Sequence, residues 1–142
     1  MLRRIGPGEL DALRAALIDA ALPVDDLAEA GRLYFRLDDG AASAAWAGLE
    51  LHGYDALVRS VVIEVQTRGT GRGTKLVREL IHEARRLGIS RLWLLTTTAA
   101  PFFARLGFEE VHRDVVPDAI RATREFRDIC PASATCMSLF LD

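Results

Sequence analysis

The sequence predicts a mixed α+β fold, with a mostly antiparallel central sheet flanked by helices. Three observations carry that expectation. Apolar residues follow a helical period near the start, switch to a period of two between Arg32 and Val65, and return to the helical period after a glycine-rich stretch. Three short strand-like segments follow one another through turn signals, as in an antiparallel meander. The 142 residues suit a single domain of ~100–200 residues spanning the whole chain, 1–142, and a chain of this size buries a core without staples.

Leu2–Ile5 reads as a short strand, and Gly6-Pro7-Gly8 breaks the chain after it. Glu9–Ala20 then places Leu10, Leu13, Leu17 and Ala20 at helical spacing. Pro23-Val24-Asp25-Asp26 is expected to open a second, shorter helix ending near Gly31. Arg32–Leu37 is a strand, and Asp38-Asp39-Gly40 a turn. Ala44–His52 and Ala56–Val65 are two further strands joined through Gly53-Tyr54-Asp55. Arg68-Gly69-Thr70-Gly71-Arg72-Gly73 runs directly into the clearest helix, Thr74–Leu87. Its Leu76, Val77, Leu80, Ile81, Ala84 and Leu87 form one apolar stripe, and Gly88 stands at a left-handed cap position. His82 falls on the polar side and reads as a surface residue. Arg91–Leu95 is a strand, Thr96-Thr97-Thr98 leads into a short helix ending near Leu106, and the tail holds a helix, Pro117–Phe126, and a closing strand, Thr135–Leu141.

Composition narrows the function. Charged residues make up 27%, with 18 basic against 20 acidic side chains and a net charge of −2. That balance speaks against a dedicated nucleic-acid binder, whose affinity rests on neutralising phosphates. No apolar run approaches the ~18 residues of a membrane span, and no apolar signal core follows Met1-Leu2-Arg3-Arg4. Cys130 and Cys136 are too few for a disulfide framework or a four-ligand zinc site. They read as reduced thiols in a cytoplasmic protein, with no metal expected.

Chemistry concentrates in one unit: the strand Val61–Val65, the loop Arg68–Gly73 and the helix after it. The first amides of a helix have no acceptor within it, and the macrodipole places partial positive charge there. Glycines let a phosphate approach the backbone closely. Thr70, Thr74 and Arg72 add hydroxyl and guanidinium donors. The common nucleotide loops do not fit. In a G-x-x-x-x-G-K-[ST] loop or a G-x-G-x-x-G fingerprint starting at Gly69, the last glycine falls on Thr74; a fingerprint starting at Gly71 puts it on Leu76. The spacing that fits is R-x-x-G-x-G, filled by Arg68, Gly71 and Gly73.

That spacing, the amphipathic helix and the downstream Pro101-Phe102-Phe103-Ala104-Arg105-Leu106-Gly107-Phe108 resemble the GNAT superfamily of N-acetyltransferases over nearly the whole chain. The stretch from Leu94-Leu95-Thr96 through Thr135-Cys136-Met137 is similar to small acetyltransferases of bacterial arsenic-resistance operons and to the acetyltransferase domain of N-acetylglutamate synthases. The resemblance implies a sheet splayed at the cofactor strand, with acetyl-CoA as cosubstrate. The backbone of Val61, Val62 and Ile63 would pair with the pantetheine arm. Arg68, Gly69, Thr70, Gly71, Arg72, Gly73 and Thr74 would hold the pyrophosphate. It also allows a homodimer.

Amine attack on a thioester needs a neutral amine. At pH 7 about one α-amine in ten is neutral, against a few lysine amines in ten thousand. Glu50, in a strand otherwise almost wholly apolar or small, is the first candidate base; the plain alternative is a solvated strand face. Glu64 is the second, with the same alternative at a strand end. Arg59 is a candidate for holding an acceptor carboxylate, against a surface salt bridge. Thr97 is an acceptor-binding candidate, against a helix cap. Many family members carry a tyrosine acid where this chain has Phe103, which has no proton to give. Three functions stay open: acetyl transfer to the amine of a small molecule, an acetyl-CoA-binding sensor with little turnover, and a thiol site for trivalent arsenic at Cys130 and Cys136.

Overall fold

A computed structural model describes residues 2–22, 24, 27–38, 44–63, 71–128 and 134–141. The strands are β1 (Leu2–Arg4), β2 (Arg32–Leu37), β3 (Ala45–His52), β4 (Asp55–Ile63), β5 (Arg91–Thr96), β6 (Glu109–Glu110) and β7 (Thr135–Phe140). The α-helices are α1 (Leu10–Asp19), α2 (Arg72–Arg86), α3 (Ala100–Arg105), α4 (Asp118–Arg121) and α5 (Arg124–Asp128), with 3-10 turns at Pro7–Glu9 and Arg113–Val115. The strands hydrogen-bond in the order β1-β2-β3-β4-β5-β7-β6. Pairing is antiparallel for β1–β2, β2–β3, β5–β7 and β6–β7, and parallel for β4–β5.

The chain divides into two compact units, Met1–Glu50 with Val58–Ala84, and Leu51–Leu57 with Arg85–Asp142. In the first, Leu13 and Leu17 of α1 meet Tyr34, Trp46 and Val62 of the sheet, with Ile5 and Leu27 closing the cluster. The stripe of α2 is buried as its spacing predicts, through Leu76, Val77, Leu80, Ile81 and Ala84. In the second, Trp93 packs with Leu57, Val116, Ile120, Phe126 and Cys136. The Trp93 indole donates to Asp55 Oδ1 at 2.9 Å, so its one polar atom is satisfied.

Two expected helices differ. Leu27–Gly31 forms turns and a bend, and Val24 is irregular; Pro23, Asp25 and Asp26 lie outside the described residues. Leu27 is the single fully buried apolar anchor among the described residues of that segment, too little to offset the cost of nucleating a helix. The tail helix is two short ones. Thr123 interrupts it: its hydroxyl donates to Ile120 O at 2.7 Å and accepts from Phe126 N at 3.4 Å, capping α5. The glycine-rich segment joins α2 two residues earlier than expected, so Arg72 and Gly73 are helical. Gly88, at φ +83°, takes up the left-handed backbone past the end of α2.

Candidate functional site

Strand β4 is built unlike its neighbours. Its parallel pairing with β5 covers Asp55, Ala56 and Leu57 against Arg91, Leu92 and Trp93, the first third of the strand. Ser60 then adopts φ +57°, a left-handed conformation that a non-glycine residue rarely takes inside a strand. Such strain costs about 1–3 kcal/mol and re-aims the peptide groups around it. Val61, Val62 and Ile63 follow. Val62 is buried in the core, while Val61 and Ile63 are half-buried.

Gly71 precedes α2 with φ +81°, and a Cβ built there meets no atom of another described residue within 4 Å. Among the described residues, nothing crowds the backbone at this turn. The first intrahelical bond runs from Lys75 N to Gly71 O at 3.1 Å, so the amides of Arg72, Gly73 and Thr74 precede it. The first turn holds no acidic residue, and the last turn holds Arg85 and Arg86. Nothing acidic in that turn cancels the positive end of the 15-residue helix dipole. Arg72 begins α2. Its side chain is buried at 6% exposure and interacts within the protein. Arg68, Gly69, Thr70 and Glu64 lie outside the described residues.

Glu50 is neither solvated nor lone. It stands opposite Arg32 in the β2–β3 register and is 2% exposed. Its Oε1 accepts from Arg59 Nη1 at 3.0 Å and lies 3.3 Å from Arg32 Nη2. The Arg59 and Arg32 side chains are 6% and 13% exposed. This corrects the surface alternatives for both Glu50 and Arg59: the pair is buried. Arg32, which sequence reasoning missed, also lies 3.9 Å from Glu29 and donates to Ala30 O at 2.8 Å. Every described residue of β3 from Ala45 to Glu50 is buried, and a charge inside such a strand must be paired.

In the second unit, Thr96 Oγ1 accepts from Ala99 N at 3.0 Å and so ties the turn into α3, leaving Thr97 exposed and outside that bond. Phe103 is buried, edge-on to Phe102 at 5.1 Å and to Phe108 at 5.5 Å. Cys136 is a buried thiol on β7, and Cys130 lies outside the described residues. Among the described residues no three His, Cys, Asp or Glu side chains gather to hold a metal ion, and no helix is long and apolar enough to cross a membrane.

Known proteins sharpen the comparison. Residues 29–110 match the model of the acetyltransferase (GNAT) domain. An amino-acid acetyltransferase of Neisseria meningitidis serogroup A is 33% identical over 64 residues, covering 45% of this chain and 15% of that protein. The chain thus spans a small part of the curated relatives it matches. In fold, N-acetylglutamate synthase from Neisseria gonorrhoeae, complexed with coenzyme A and L-arginine, superposes with a TM-score of 0.76 at 21% identity, over 99% of this chain and 33% of that one. Rv2747 from Mycobacterium tuberculosis, in complex with CoA and NLQ, gives 0.75 at 23% identity over 100% and 99%. The matched segment holds β4 with its strained serine, the turn at Gly71 and all of α2, and on that match over more than half its length the chain belongs to the GNAT acetyltransferase family.

Proposed function

We propose that this protein is a cytoplasmic N-acetyltransferase that moves acetyl from acetyl-CoA to the amine of a small molecule. One observation carries the reading most: the turn at Gly71, whose backbone no other described residue crowds, in front of an α2 N-terminus with no acidic residue in its first turn. The amides of Arg72, Gly73 and Thr74 bind the pyrophosphate there, together with Arg68, Gly69 and Thr70. The backbone of Val61, Val62 and Ile63 pairs with the pantetheine arm. Coenzyme A in the N-acetylglutamate synthase and Rv2747 structures supports the same ligand class.

The acceptor nitrogen attacks the thioester carbonyl, the C–S bond breaks, and the amine proton leaves as the CoA thiol forms. An α-amine, about one-tenth neutral at pH 7, needs little help from a base. Of the two candidate bases, Glu64 is the one assigned that role. Glu50 is better suited to holding Arg59 and Arg32, because its Oε1 is already occupied by both guanidiniums. Arg59 held in this way is the candidate for an acceptor carboxylate, with Thr97 a further acceptor contact. Water supplies the thiolate proton where Phe103 has none. Amino acids and amine-bearing organoarsenicals are the acceptors to screen, and the amino-acid acetyltransferase relative favours the first.

Gly71→Asp and Gly71→Asn test the site by calorimetry with acetyl-CoA. Asparagine accepts the left-handed backbone and carries no charge. Aspartate adds a charge that repels pyrophosphate, so its affinity falls well below that of the asparagine variant. Wild-type affinity in a folded Gly71→Asp protein removes the turn from the site.

A further inference from the structure

Inside β4 the chain turns left-handed at Ser60, with φ +57°, while the residues on either side stay in the strand. A serine relaxes from that conformation unless its surroundings hold it there. Three observations locate what holds it. Arg59 Nε donates to the Ser60 hydroxyl at 3.4 Å, and its Nη1 donates to Glu50 Oε1 at 3.0 Å. Arg32 Nη2 lies 3.3 Å from the same carboxylate oxygen. Gly48, two residues before Glu50 on β3, lets that strand close on the Arg59 carbonyl, where an added Cβ would stand 3.2 Å away. We propose that Arg32, Glu50 and Arg59 form a strut that keeps β4 bent at Ser60, and that through this bend they position the backbone of Val61, Val62 and Ile63 for the pantetheine arm. The inference rests on acetyl-CoA as ligand and adds how the strand is held in shape before that ligand arrives.

Burial makes the strut stiff. The Arg59 and Glu50 side chains are 6% and 2% exposed, and neither can swing away without stranding a desolvated charge. The planar guanidinium of Arg59 donates in fixed directions, forward to Ser60 and across to β3, so it sets an angle as well as neutralising a carboxylate. Arg32 comes from the other side, opposite Glu50 in the β2–β3 register, so the carboxylate is gripped from both neighbouring strands. Beyond Leu57, β4 makes no pair with β5 among the described residues, so that ladder does not hold Ser60 in place. In this role the three side chains are positioning residues that act through the strand. The role is separate from any contact of Arg59 with an acceptor.

The test is calorimetric titration of the full chain with acetyl-CoA, with no acceptor present. Glu50→Gln combined with Arg59→Met removes the strut and leaves neither side chain charged, and affinity should fall by roughly tenfold as Ser60 relaxes. Adding Ser60→Gly to that variant should restore affinity to within about threefold of wild type, because glycine takes the left-handed backbone without a strut. Ser60→Gly alone should change affinity by less than about twofold, the bend being held already. If the double variant does not fold, Arg59→Lys carries the test: it keeps a cation beside Glu50 but has no Nε to reach Ser60, and it should show the same loss and the same rescue. Unchanged affinity in a folded strut variant overturns the proposal, and so does a loss that Ser60→Gly fails to rescue. A tenfold loss in Ser60→Gly alone would assign the effect to the hydroxyl and overturn it too. In all three cases acetyl-CoA binding by the wild type still stands. If the wild type does not bind acetyl-CoA, the cosubstrate reading falls and the strut's role with it.

Discussion

Replacing Glu50 with alanine strips two guanidiniums of the carboxylate they share. Removing one partner of a buried pair costs about 3–5 kcal/mol, because the remaining charge stays desolvated. Arg32 keeps Glu29 at 3.9 Å and some access to water, so most of the penalty falls on Arg59, whose side chain is 6% exposed. That places Glu50→Ala near the lower end, about 3 kcal/mol, or ~10 °C in Tm for a chain of this length. Urea unfolding followed by the buried indoles of Trp46 and Trp93 reads the loss. Arg59→Met and the double variant complete a cycle. The double variant should be less destabilised than the sum of the two by more than ~1 kcal/mol, and additivity within ~0.5 kcal/mol would refute the pairing. Glu50→Gln, which keeps an acceptor oxygen, then separates positioning from proton transfer. A positioning Glu50 raises KM for carboxylate-bearing acceptors and leaves the pH dependence of kcat unchanged. A general base instead loses ~10²–10⁴-fold in kcat, with recovery at high pH.

Gly48→Ala should destabilise by about 1–3 kcal/mol in thermal melts, because its Cβ would stand 2.9 Å from Tyr34 Cδ1 and 3.2 Å from the Arg59 carbonyl. Arg3 grips Glu9 through both carboxylate oxygens, at 2.6 and 3.0 Å, and the pair lies exposed. That hydrogen bonding holds the Glu9 carboxyl below its ordinary pKa. A lowered folded pKa gives stability that is present above the unfolded value and lost as pH falls through the folded one. The small stability gap between wild type and Glu9→Gln should therefore close on acidification, and a gap that persists at low pH would assign it to another cause. Phe103→Tyr should keep the fold, since the ring between Phe102 and Phe108 is retained, and change kcat by less than about tenfold.

Local pattern foretold the elements whose signal is local. The α2 stripe, the meander and the closing strand are legible because period and turn residues specify them without reference to the rest of the chain. Where a helix is expected after Pro23, the described residues form turns and a bend, and Leu27 is their one buried side chain. The tail helix divides because the Thr123 hydroxyl competes for the backbone, a choice that depends on its burial. At the site, the glycine spacing carries the expectation of an anion turn, of which Arg68, Gly69 and Thr70 lie outside the described residues, while the pairing of Glu50 with Arg32 and Arg59 is a matter of register across three strands. A buried run around Glu50 was the available signal that this charge needs a partner. Ser60 gave none, since serine carries no mark of a positive φ.

The reading as a whole stands on acetyl transfer to an amine. The direct measurement is CoA thiol release from acetyl-CoA across amino acids and amine-bearing organoarsenicals, with the product identified by mass spectrometry. The account predicts at least one acceptor with saturable turnover, an N-acetylated product, and loss of that turnover in Gly71→Asp. Tight acetyl-CoA binding with no acetylated product from any acceptor would contradict it and mark the protein as an acetyl-CoA sensor.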